Sequence, residues 1–538
     1  MTNVHDNEQE ISQHRVDGHH ESMPAPTSAI TQNEPETIDA AEGPSTPLPR
    51  FQLFLVLLIQ FAEPITALVI YPFINQFVRD TGITGGDDRK TGYYAGVIES
   101  AFFFAEAATV FQWGWLSDHI GRRPVLLLGP LGLTFAMLKF GYSTSFWSMV
   151  WARCFQGLFN GNIGVSKTVM MELTDETNIG DAVAMIPLMW SVGSTIAPII
   201  GGVLSNPATR WPHIFGKIAL FKDHPYFLPC LVAATLASFT FVISFLGLKE
   251  TLASVATREI PENPKRPERD TEISEATPTD TLLSHNNSAD YGTSTKSTNC
   301  PSPTSSESSL NSCQRFGSDP PTLLSTLQSR TLQFVIINYL FLTFTDMCYN
   351  VLMPLVYSTP IHLGGLGLNP YQIGLIMGIW GLLNAFLQIN LLGKWIKKYG
   401  ASRMYRYSYS AFLVTFLTYP ISTYFARRDG GIGLGTYISI LVQLSFRFLL
   451  YMGFGAIHVV VAEITPKPVL GSVNGLVQMT GCLMRTMAPT FASSLFSFSL
   501  EKHLLGGNFT YVVILAIVVV GIKCSWALPQ RKRRAASH

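Results

Sequence analysis

Long apolar runs alternate with short polar segments along the whole chain, and this pattern is its main structural signal. A helix needs about 20 consecutive apolar residues to cross the hydrocarbon core of a bilayer. Six runs of roughly this length lie at 51–77, 93–112, 125–143, 146–167, 182–204 and 226–248, and six more at 332–357, 371–395, 404–425, 437–462, 469–498 and 509–528. The pattern predicts an all-α membrane protein with twelve transmembrane helices in two six-helix bundles.

Polar segments separate and flank these two halves. Residues 1–50 are rich in Glu, Ser, Thr and Pro, which predicts a disordered cytosolic tail. Residues 249–331 are also polar and have no apolar run, which predicts a disordered cytosolic linker. The linker joins an N-terminal bundle at 51–248 to a C-terminal bundle at 332–528, and residues 529–538 form a basic cytosolic tail.

Basic residues predict the orientation in the membrane. Arg122, Arg123, Lys394, Arg403 and the basic run 531–534 all fall on one side of the predicted spans. Loops on the cytosolic side carry an excess of Lys and Arg, so both termini and the linker are expected in the cytosol. We expect a monomeric, multi-pass protein of the plasma membrane rather than the vacuole.

Composition narrows the range of functions. The 538 residues are 47% hydrophobic and 14% charged, and the formal net charge of +1 suggests no nucleic-acid partner. The seven cysteines are scattered without a Cys-x-x-Cys pair, so neither a metal site nor a disulfide framework is expected. No spacing typical of a nucleophile and its base suggests an enzyme, and no cofactor is expected.

The two halves repeat one another. The matched pairs, at equal or nearly equal spacing, are Glu63/Pro72 with Asp346/Pro354, Gly114/Gly121 with Gly393/Gly400, Arg153/Gly161 with Arg447/Gly455, and Glu172/Pro198 with Glu463/Pro489. Chance does not readily give four matches in the same order. Repeated bundles around a central site are typical of secondary transporters that work by alternating access.

Charged residues inside the apolar runs are the candidates for chemistry, because a charge in hydrocarbon is costly and is kept mainly for function or for a structural pair. Glu63 and Asp346 stand at matching places beside prolines and are the first candidates for proton coupling. Glu99 and Glu106 are seven residues apart and share one helical face. With Arg153, these acids form either a static lattice of ion pairs or a proton relay, since loss of water favours the neutral form of a carboxylate.

Aromatic and polar residues within the runs are candidates for lining a substrate cavity. The set is Tyr71, Asn160, Trp190, Tyr349, Arg447, His458 and Arg485. The aromatic members could equally pack against other helices or face lipid. Lys167 lies near the end of its run, where a lysine commonly extends its amine toward the membrane surface.

The polar turn between the second and third runs has a distinctive sequence. It reads Gly114-Trp115-Leu116-Ser117-Asp118-His119-Ile120-Gly121-Arg122-Arg123, and two glycines permit a tight reversal. This spacing resembles the signature loop of the major facilitator superfamily. The resemblance implies that Gly114, Asp118, Gly121, Arg122 and Arg123 form a cytoplasmic gate that holds the two bundles together and does not touch substrate.

Two further motifs carry the same resemblance. Arg153-x-x-Gln156-Gly157 is similar to the fourth-helix motif of the family, which implies a role for Arg153 in proton coupling. The set Gly193, Ala197, Pro198, Gly201 and Gly202 is similar to the fifth-helix motif of its antiporters, with alanine in place of the usual glycine at 197. Plain close packing of helices is the alternative interpretation of these small residues.

Shorter segments resemble one branch of that superfamily, the zinc-induced-facilitator-like branch of the drug:proton antiporters. They are Trp113-Gly-x3-Asp118, Asn160-Gly-Asn-Ile-Gly, Glu172-Leu-Thr and Pro225-Tyr-Phe-Leu-Pro-Cys230. Glu63-Pro64 and the start of the first run are similar to fungal members, such as facilitator-type transporters of mushroom psilocybin clusters. The paired-cysteine motif and histidine-rich loop of the plant members are absent, which argues against zinc as the cargo.

These features predict a secondary active transporter that exports a small organic molecule or fungal secondary metabolite by proton-coupled antiport. Its expected partners are the lipid bilayer, protons and a small-molecule substrate. An importer, or a vacuolar transporter of metabolites or metal chelates, is one alternative, since the fold alone does not fix direction or cargo. A non-transporting receptor that signals through the Ser/Thr-rich linker is another.

Overall fold

The computed structural model describes residues 47–175, 178–252, 326, 328–466 and 469–529. Most of the predicted tail at 1–50, the predicted linker from 253 to 325 and the basic tail from 530 lie outside the described residues. Within the described residues, all of the regular secondary structure is helical.

The N-terminal half accounts for the first six predicted runs. Its helices, among the described residues, are α1 (Arg50–Leu68), α2 (Ile74–Asp80), α3 (Thr91–Ile120), α4 (Arg122–Gly141), α5 (Phe146–Asn160), α6 (Ile163–Glu172), α7 (Ile179–Leu204), α8 (Pro207–Arg210), α9 (Ala219–Asp223) and α10 (Phe227–Gly247). The first run is shared by α1 and α2 and the fourth by α5 and α6, while α8 and α9 are short helices of the loop before the sixth run.

The C-terminal half has one helix for each remaining run. These helices are α11 (Arg330–Ser358), α12 (Pro370–Tyr399), α13 (Ala401–Asp429), α14 (Leu434–Ile464), α15 (Leu470–Glu501) and α16 (Phe509–Ser525). Seven helices in the described part of the chain are long and apolar enough to cross a membrane by length and composition. The two parts of the broken fourth run and α16, which has 17 residues, are too short for that test.

The helices run between two faces, which we name by their loops. The signature face carries the turn at Gly121 and the matching turn at Gly400, and the far face carries the loops that follow Leu204 and Ser358. Each half has its own apolar interior. One cluster of buried side chains fills the C-terminal half, and two clusters fill the N-terminal half, one toward each face.

The first span is broken near the far face and not at its central proline. Pro64 lies inside α1, which continues to Leu68, and the chain turns at Pro72 before α2 begins. The backbone N–H groups of Tyr71 and Phe73 donate to carbonyls three residues back, as in the tighter 3₁₀ geometry. Pro72 has no N–H to continue the α-helical bonds, so the turn falls beside it.

The fourth span is also broken, although the sequence predicts one continuous run. α5 ends at Asn160, and α6 begins at Ile163. The Leu158 carbonyl that the break frees accepts a bond of 2.6 Å from Trp113 Nε1 and one of 3.2 Å from Thr109 Oγ1. Side chains of α3 therefore satisfy a carbonyl that would be costly to leave unpaired inside a membrane.

The two halves touch through glycines at the far face. A Cβ at Gly202 on α7 would lie 2.6 Å from the Pro370 carbonyl oxygen and 2.7 Å from the Gly374 Cα on α12. A Cβ at Gly92 on α3 would lie 2.5 Å from the Ser493 carbonyl oxygen on α15. Glycines thus let the backbones of two helix pairs approach closely, which closes this face.

The same α3 and α15 separate toward the signature face. A Cβ at Gly114 on α3 or at Gly475 on α15 would meet no atom within 4 Å. In the described chain, the hydrogen bonds between the halves lie in the part of the helices toward the far face. The structure is therefore a conformation closed at the far face, with α3 and α15 diverging toward the signature face.

Candidate functional site

Two carboxyl groups share one amide inside the N-terminal half. α1 supplies Glu63, α3 supplies Glu106, and the last residue of α5 supplies Asn160. The Asn160 Nδ2 donates to Glu63 Oε1 at 3.1 Å, and the Asn160 amide lies close enough to Glu106 to interact with its carboxyl group. All three side chains are buried. Two carboxylates this close repel each other when both are ionised, so the pair favours holding a proton.

Three basic side chains stand around this acid pair. Lys167 on α6 and Arg485 on α15 lie within electrostatic range of both Glu63 and Glu106. His458 on α14 lies within range of Lys167 and Arg485. Lys167 belongs to the N-terminal half and the other two to the C-terminal half, so the charges face one another across the boundary. We call these five residues the central cluster.

The central cluster lies where the two halves begin to separate. The Thr490 hydroxyl on α15 bonds the Ser100 hydroxyl on α3 at 2.8 Å. Glu106 follows Ser100 by six residues, and Arg485 precedes Thr490 by five, both toward the signature face. Lys167 is half-buried beside them. The interpretation of Lys167 as a lysine that reaches the membrane surface is therefore wrong, because the broken fourth span keeps it inside the protein.

A second charged network joins α3 to α5. The Arg153 guanidinium donates to Glu99 Oε2 at 2.6 Å and to Gln156 Oε1 at 2.7 Å. The Tyr71 hydroxyl donates to Glu99 Oε1 at 2.7 Å, and the Phe102 ring centroid lies 4.4 Å from the Arg153 guanidinium carbon. Both carboxylate oxygens of Glu99 thus have partners, and Tyr71 is buried in this network rather than at the separation between the halves.

The matching arginine of the second half has different surroundings. Asn350 Nδ2 donates to Asp346 Oδ2 at 2.9 Å, while Asn350 Oδ1 accepts a bond of 2.5 Å from Arg447. The Arg447 guanidinium also donates to the Tyr451 hydroxyl at 3.0 Å. Its central carbon lies over three rings, at 4.0 Å from Tyr349, 5.2 Å from Trp380 and 5.2 Å from Tyr451. Arg447 is therefore held by neutral and aromatic partners, an arrangement suited to cation–π attraction.

The sequence repeat places matched residues in unmatched environments. Glu63 is buried and bonds to Asn160 of another span, whereas Asp346 is half-buried and bonds to Asn350 of its own helix. Arg485 is within electrostatic range of both acids. Of the remaining cavity candidates, His458 is exposed beside the central cluster, and Trp190 is half-buried on α7.

The signature loop bonds within its own half. Arg122 donates to Asp118 Oδ1 at 2.5 Å and to Glu172 Oε1 at 3.1 Å, and Arg123 donates to the Phe245 carbonyl at 2.9 Å. Gly121 has a φ of 106°, a value that favours glycine. The Asp118 side chain is 61% exposed. In this conformation none of these described bonds reaches the C-terminal half, so closure by the gate stays a prediction for another state.

Sequence reasoning missed the partner that holds this loop. The Glu250 carboxylate accepts bonds from the backbone N–H groups of Arg122 at 2.8 Å and Arg123 at 3.0 Å, at the start of α4. The Thr251 hydroxyl donates to Glu172 Oε2 at 2.6 Å. A carboxylate at a helix N-terminus is stabilised by the helix dipole. A glutamate just after an apolar run carries no sequence signal for this role, which depends on where α10 ends relative to α4.

The fifth-helix motif joins α7 to two other helices. A Cβ at Gly193 would overlap the Pro64 ring, and one at Gly201 would overlap the Val69 carbonyl oxygen, both in the first span. Gly202 faces α12 across the far-face contact, and Ala197 and Pro198 are buried. The glycines of α12 that receive α7 are Gly374, Gly378 and Gly381. Their spacing of four and three residues was a readable signal that sequence reasoning missed.

A family model described as "Major Facilitator Superfamily" matches residues 56–489. Among curated proteins, the chain is 31% identical to the "Major facilitator-type transporter psiT2" of Psilocybe cyanescens, covering 96% of this chain and 97% of that protein. It is 29% identical to the "Major facilitator superfamily multidrug transporter mfsB" of Aspergillus fumigatus over 84% and 79% of the two chains. It is 26% identical to the "Protein ZINC INDUCED FACILITATOR 1" of Arabidopsis thaliana over 88% and 90%.

Solved structures show the same fold. The crystal structure of a D-xylose-proton symporter matches with a TM-score of 0.62 at 14% identity, covering 89% of this chain and 97% of that one. At this level of identity the match concerns architecture alone. The prediction of twelve helices in two repeated six-helix bundles is confirmed.

Proposed function

Because the chain belongs to the major facilitator superfamily and is a multi-pass membrane transporter rather than an enzyme, we propose that it is a proton-coupled antiporter that exports a small organic molecule from the cytosol. We place it in the plasma membrane, with the signature face in the cytosol. The excess of Lys and Arg on that face supports the orientation. The conformation described above then opens toward the compartment from which cargo is taken.

The observation that carries the proposal is the pair of acids on one amide. Glu63 and Glu106 are buried, share Asn160 and have no direct ion-pair partner among the described residues. Burial without a directly paired cation disfavours the charged form of a carboxylate, so exposing the group to the opposite side changes its proton occupancy. Such a group ties proton binding to the conformational change.

The other acids have different proposed roles. Glu99 is bonded directly to Arg153, so the pair positions α3 against α5. Asp346 lies within range of Arg447 and Arg485, where it senses the charge state of the central cluster. We therefore assign proton exchange to Glu63 and Glu106 first and to Asp346 second, and give Arg153 a positioning role.

Transport by the full-length chain in liposomes tests the proposal. The cargo is first identified by comparing metabolites released by cells with and without the protein. Liposomes with an acidic lumen should accumulate this compound above its external concentration, because outward proton flow drives its entry, and the lumen should become less acid. Equal accumulation of the compound with and without the pH gradient would refute proton antiport.

The variant Glu63→Gln keeps the shape of the side chain and removes its proton exchange. It should still equilibrate the cargo but should lose accumulation driven by the gradient. Asp223→Asn is the matched control, since Asp223 is exposed in the far-face loop. If both variants accumulate cargo equally well, Glu63 is not the coupling group.

A further inference from the structure

Two cations of the central cluster have no direct partner. In the described chain, neither Arg485 nor Lys167 makes a hydrogen bond, and neither is in a direct ion pair. Both are half-buried. A guanidinium or ammonium removed from water is costly unless a counter-charge compensates it. The attraction of Glu63 and Glu106 compensates part of that cost from a distance, because neither acid is in a direct ion pair with these cations.

The other arginines inside the bundles show that this arrangement is unusual for the molecule. Arg153 is bonded to a carboxylate and a glutamine, and Arg447 is bonded to Asn350 and Tyr451. Arg406 near the signature face donates to three backbone carbonyls. A buried guanidinium normally has at least some of its nitrogen-bound hydrogens in hydrogen bonds, as Arg153 and Arg447 do. Arg485 therefore has donors to offer a ligand, at the place where the halves separate.

The two cations stand on opposite halves. Lys167 is on α6 of the N-terminal half and Arg485 on α15 of the C-terminal half, and each lies within electrostatic range of the other. Like charges repel, so the pair is stable together only when negative charge lies between or beside them. An anionic group bound by both would draw the two halves toward each other, as alternating access requires of a cargo.

Antiport with protons also requires the cargo to carry a particular kind of charge. A cargo with negative charge alone would bind better when Glu63 and Glu106 are protonated, so cargo and proton would bind together. Antiport needs the opposite, a cargo whose binding releases the protons. A cationic group placed against the two acids does this, because it favours their ionised forms.

We propose, on the basis of the antiport proposed above, that the cargo is an amphoteric small molecule. Its anionic group, a carboxylate, phosphate or sulfate, binds between Arg485 and Lys167, and its basic nitrogen binds at Glu63 and Glu106. The acids lie on the N-terminal half and Arg485 on the C-terminal half, so the two ends of the cargo bridge the boundary. The site is the central cluster, and the ligand supplies the direct ion-pair partner that both cations lack among the described residues.

The first test is the chemical class of the exported metabolites. Cells that express the full chain are compared with cells that lack it, and each metabolite whose release depends on the protein is identified by mass spectrometry. We expect compounds with both an acidic and a basic group. Export of compounds without an acidic group, or of acids without a basic nitrogen, would overturn this inference and leave transport itself established. Absence of any exported compound would instead refute the proposed function.

The second test pairs a protein variant with a cargo variant in liposomes. Arg485→Gln should raise the KM for the identified cargo about tenfold, as expected for loss of a charge-assisted hydrogen bond. A cargo derivative whose acidic group is fully esterified, so that it carries no negative charge, should show a similar rise in KM with the unaltered protein. The KM for the ester should not rise further with Arg485→Gln, because the ester already lacks the negative charge that Arg485 would bind.

Arg428→Gln is the matched control, since Arg428 is exposed at the far-face end of α13. This variant should have the same ratio of KM values for ester and acid as the unaltered protein. Arg485→Lys should keep most of the discrimination, because it keeps the charge. If the ratio of the KM values for ester and acid is the same with Arg485→Gln as with the unaltered protein, Arg485 does not bind the anionic group and the inference fails. A variant that only misfolds would lose transport of acid and ester alike, which this comparison of ratios detects.

Discussion

Asn160 is the residue on which the proposed proton site depends, since its amide donates to Glu63 and interacts with Glu106. An amide N–H that donates to a carboxylate stabilises the ionised form. A hydrogen bond to a charged group contributes about 1.5–3 kcal/mol. The protonation behaviour of the pair therefore depends on a neutral neighbour as much as on the surrounding charges.

Replacing Asn160 by alanine should move the pH dependence of transport. Without the amide, the ionised acids are less stable, so proton release needs a higher pH. We expect the midpoint of the pH profile to rise by about one pH unit, which corresponds to 1.36 kcal/mol. Transport measured from pH 5 to 9 checks this, with Asn390→Ala, at an exposed position, as control. A midpoint that falls or stays unchanged would contradict the assignment.

The Glu99–Arg153 pair should behave as structure rather than as a relay. Arg153→Met leaves Glu99 buried without its partner, and we expect a loss of about 3–5 kcal/mol in the free energy of unfolding. The double variant with Glu99→Gln removes both charges and should recover much of that stability. Thermal unfolding in detergent measures both effects. The double variant should also keep gradient-driven transport, and loss of coupling in a stably folded double variant would show that Glu99 titrates.

At the scale of the element, the break between α5 and α6 sets the position of the central cluster. Asn160 ends one helix and Lys167 lies on the next, so a straight span would separate them differently. Gly161 at the break lies tight against α3, where an added Cβ would be 2.7 Å from Thr109 Oγ1 and 2.8 Å from Trp113 Cδ1. α3 thus stabilises the break by both contact and hydrogen bonds.

Trp113→Phe tests this role. Phenylalanine keeps an aromatic ring but cannot donate to the Leu158 carbonyl, which would keep only the longer contact with Thr109 Oγ1. Loss of one hydrogen bond costs about 0.5–1.5 kcal/mol. We expect a lower unfolding temperature together with reduced transport. Trp115→Phe, at a position 57% exposed, is the control and should change neither. Equal stability of the two variants would mean that the break does not depend on this hydrogen bond.

The far-face contact between α7 and α12 tolerates no side chain at Gly202. The atoms that an added Cβ would meet belong to the backbone, so they cannot rotate away. Gly202→Val should therefore force the two halves apart at the far face and favour a conformation open there. Spin labels on the exposed Gly85 and Asn369 should report longer distances in this variant. Gly475→Val, where an added Cβ has open space, is the control, and identical distances in both would refute the prediction.

At the scale of the whole molecule, the signature loop and its partner Glu250 affect the equilibrium between conformations that are open and closed at the signature face. The loop is held in shape within the N-terminal half and presents Asp118 to solvent. Closure at this face would bring Asp118 toward the opposite half, which is the gating role implied by the family resemblance. A preformed loop lowers the entropy cost of that closure.

Glu250→Ala should weaken closure at the signature face. Loss of the bonds to the start of α4 frees the loop, so the molecule should spend more time open at that face and transport should slow. Cys482 in the C-terminal half is half-buried near Glu106 and Arg485 and serves as a reporter. With Cys154, Cys300, Cys313 and Cys524 replaced by serine, a membrane-impermeant thiol reagent should label it faster. Asp223→Ala is the control, and equal labelling rates would exclude Glu250 from gating.

The sequence by itself determined the number, order and approximate limits of the membrane helices, because the length and polarity of a run are local properties of the chain. It also determined the family, through motifs whose residues are adjacent in sequence. It identified Glu63, Glu106, Arg447 and Arg485 as charges that need an explanation, because a charge in an apolar run is visible without a structure.

Only the tertiary structure decided which of these charges are paired. Arg153 and Arg447 occupy matching places in the repeat, yet one bonds a glutamate and the other an asparagine and aromatic rings. Lys167 and Glu250 acquired roles that no local pattern predicted. Each depends on a residue brought close from another helix, and such partners are set by helix packing and by the break after Asn160, which a pattern of apolar and polar positions does not encode.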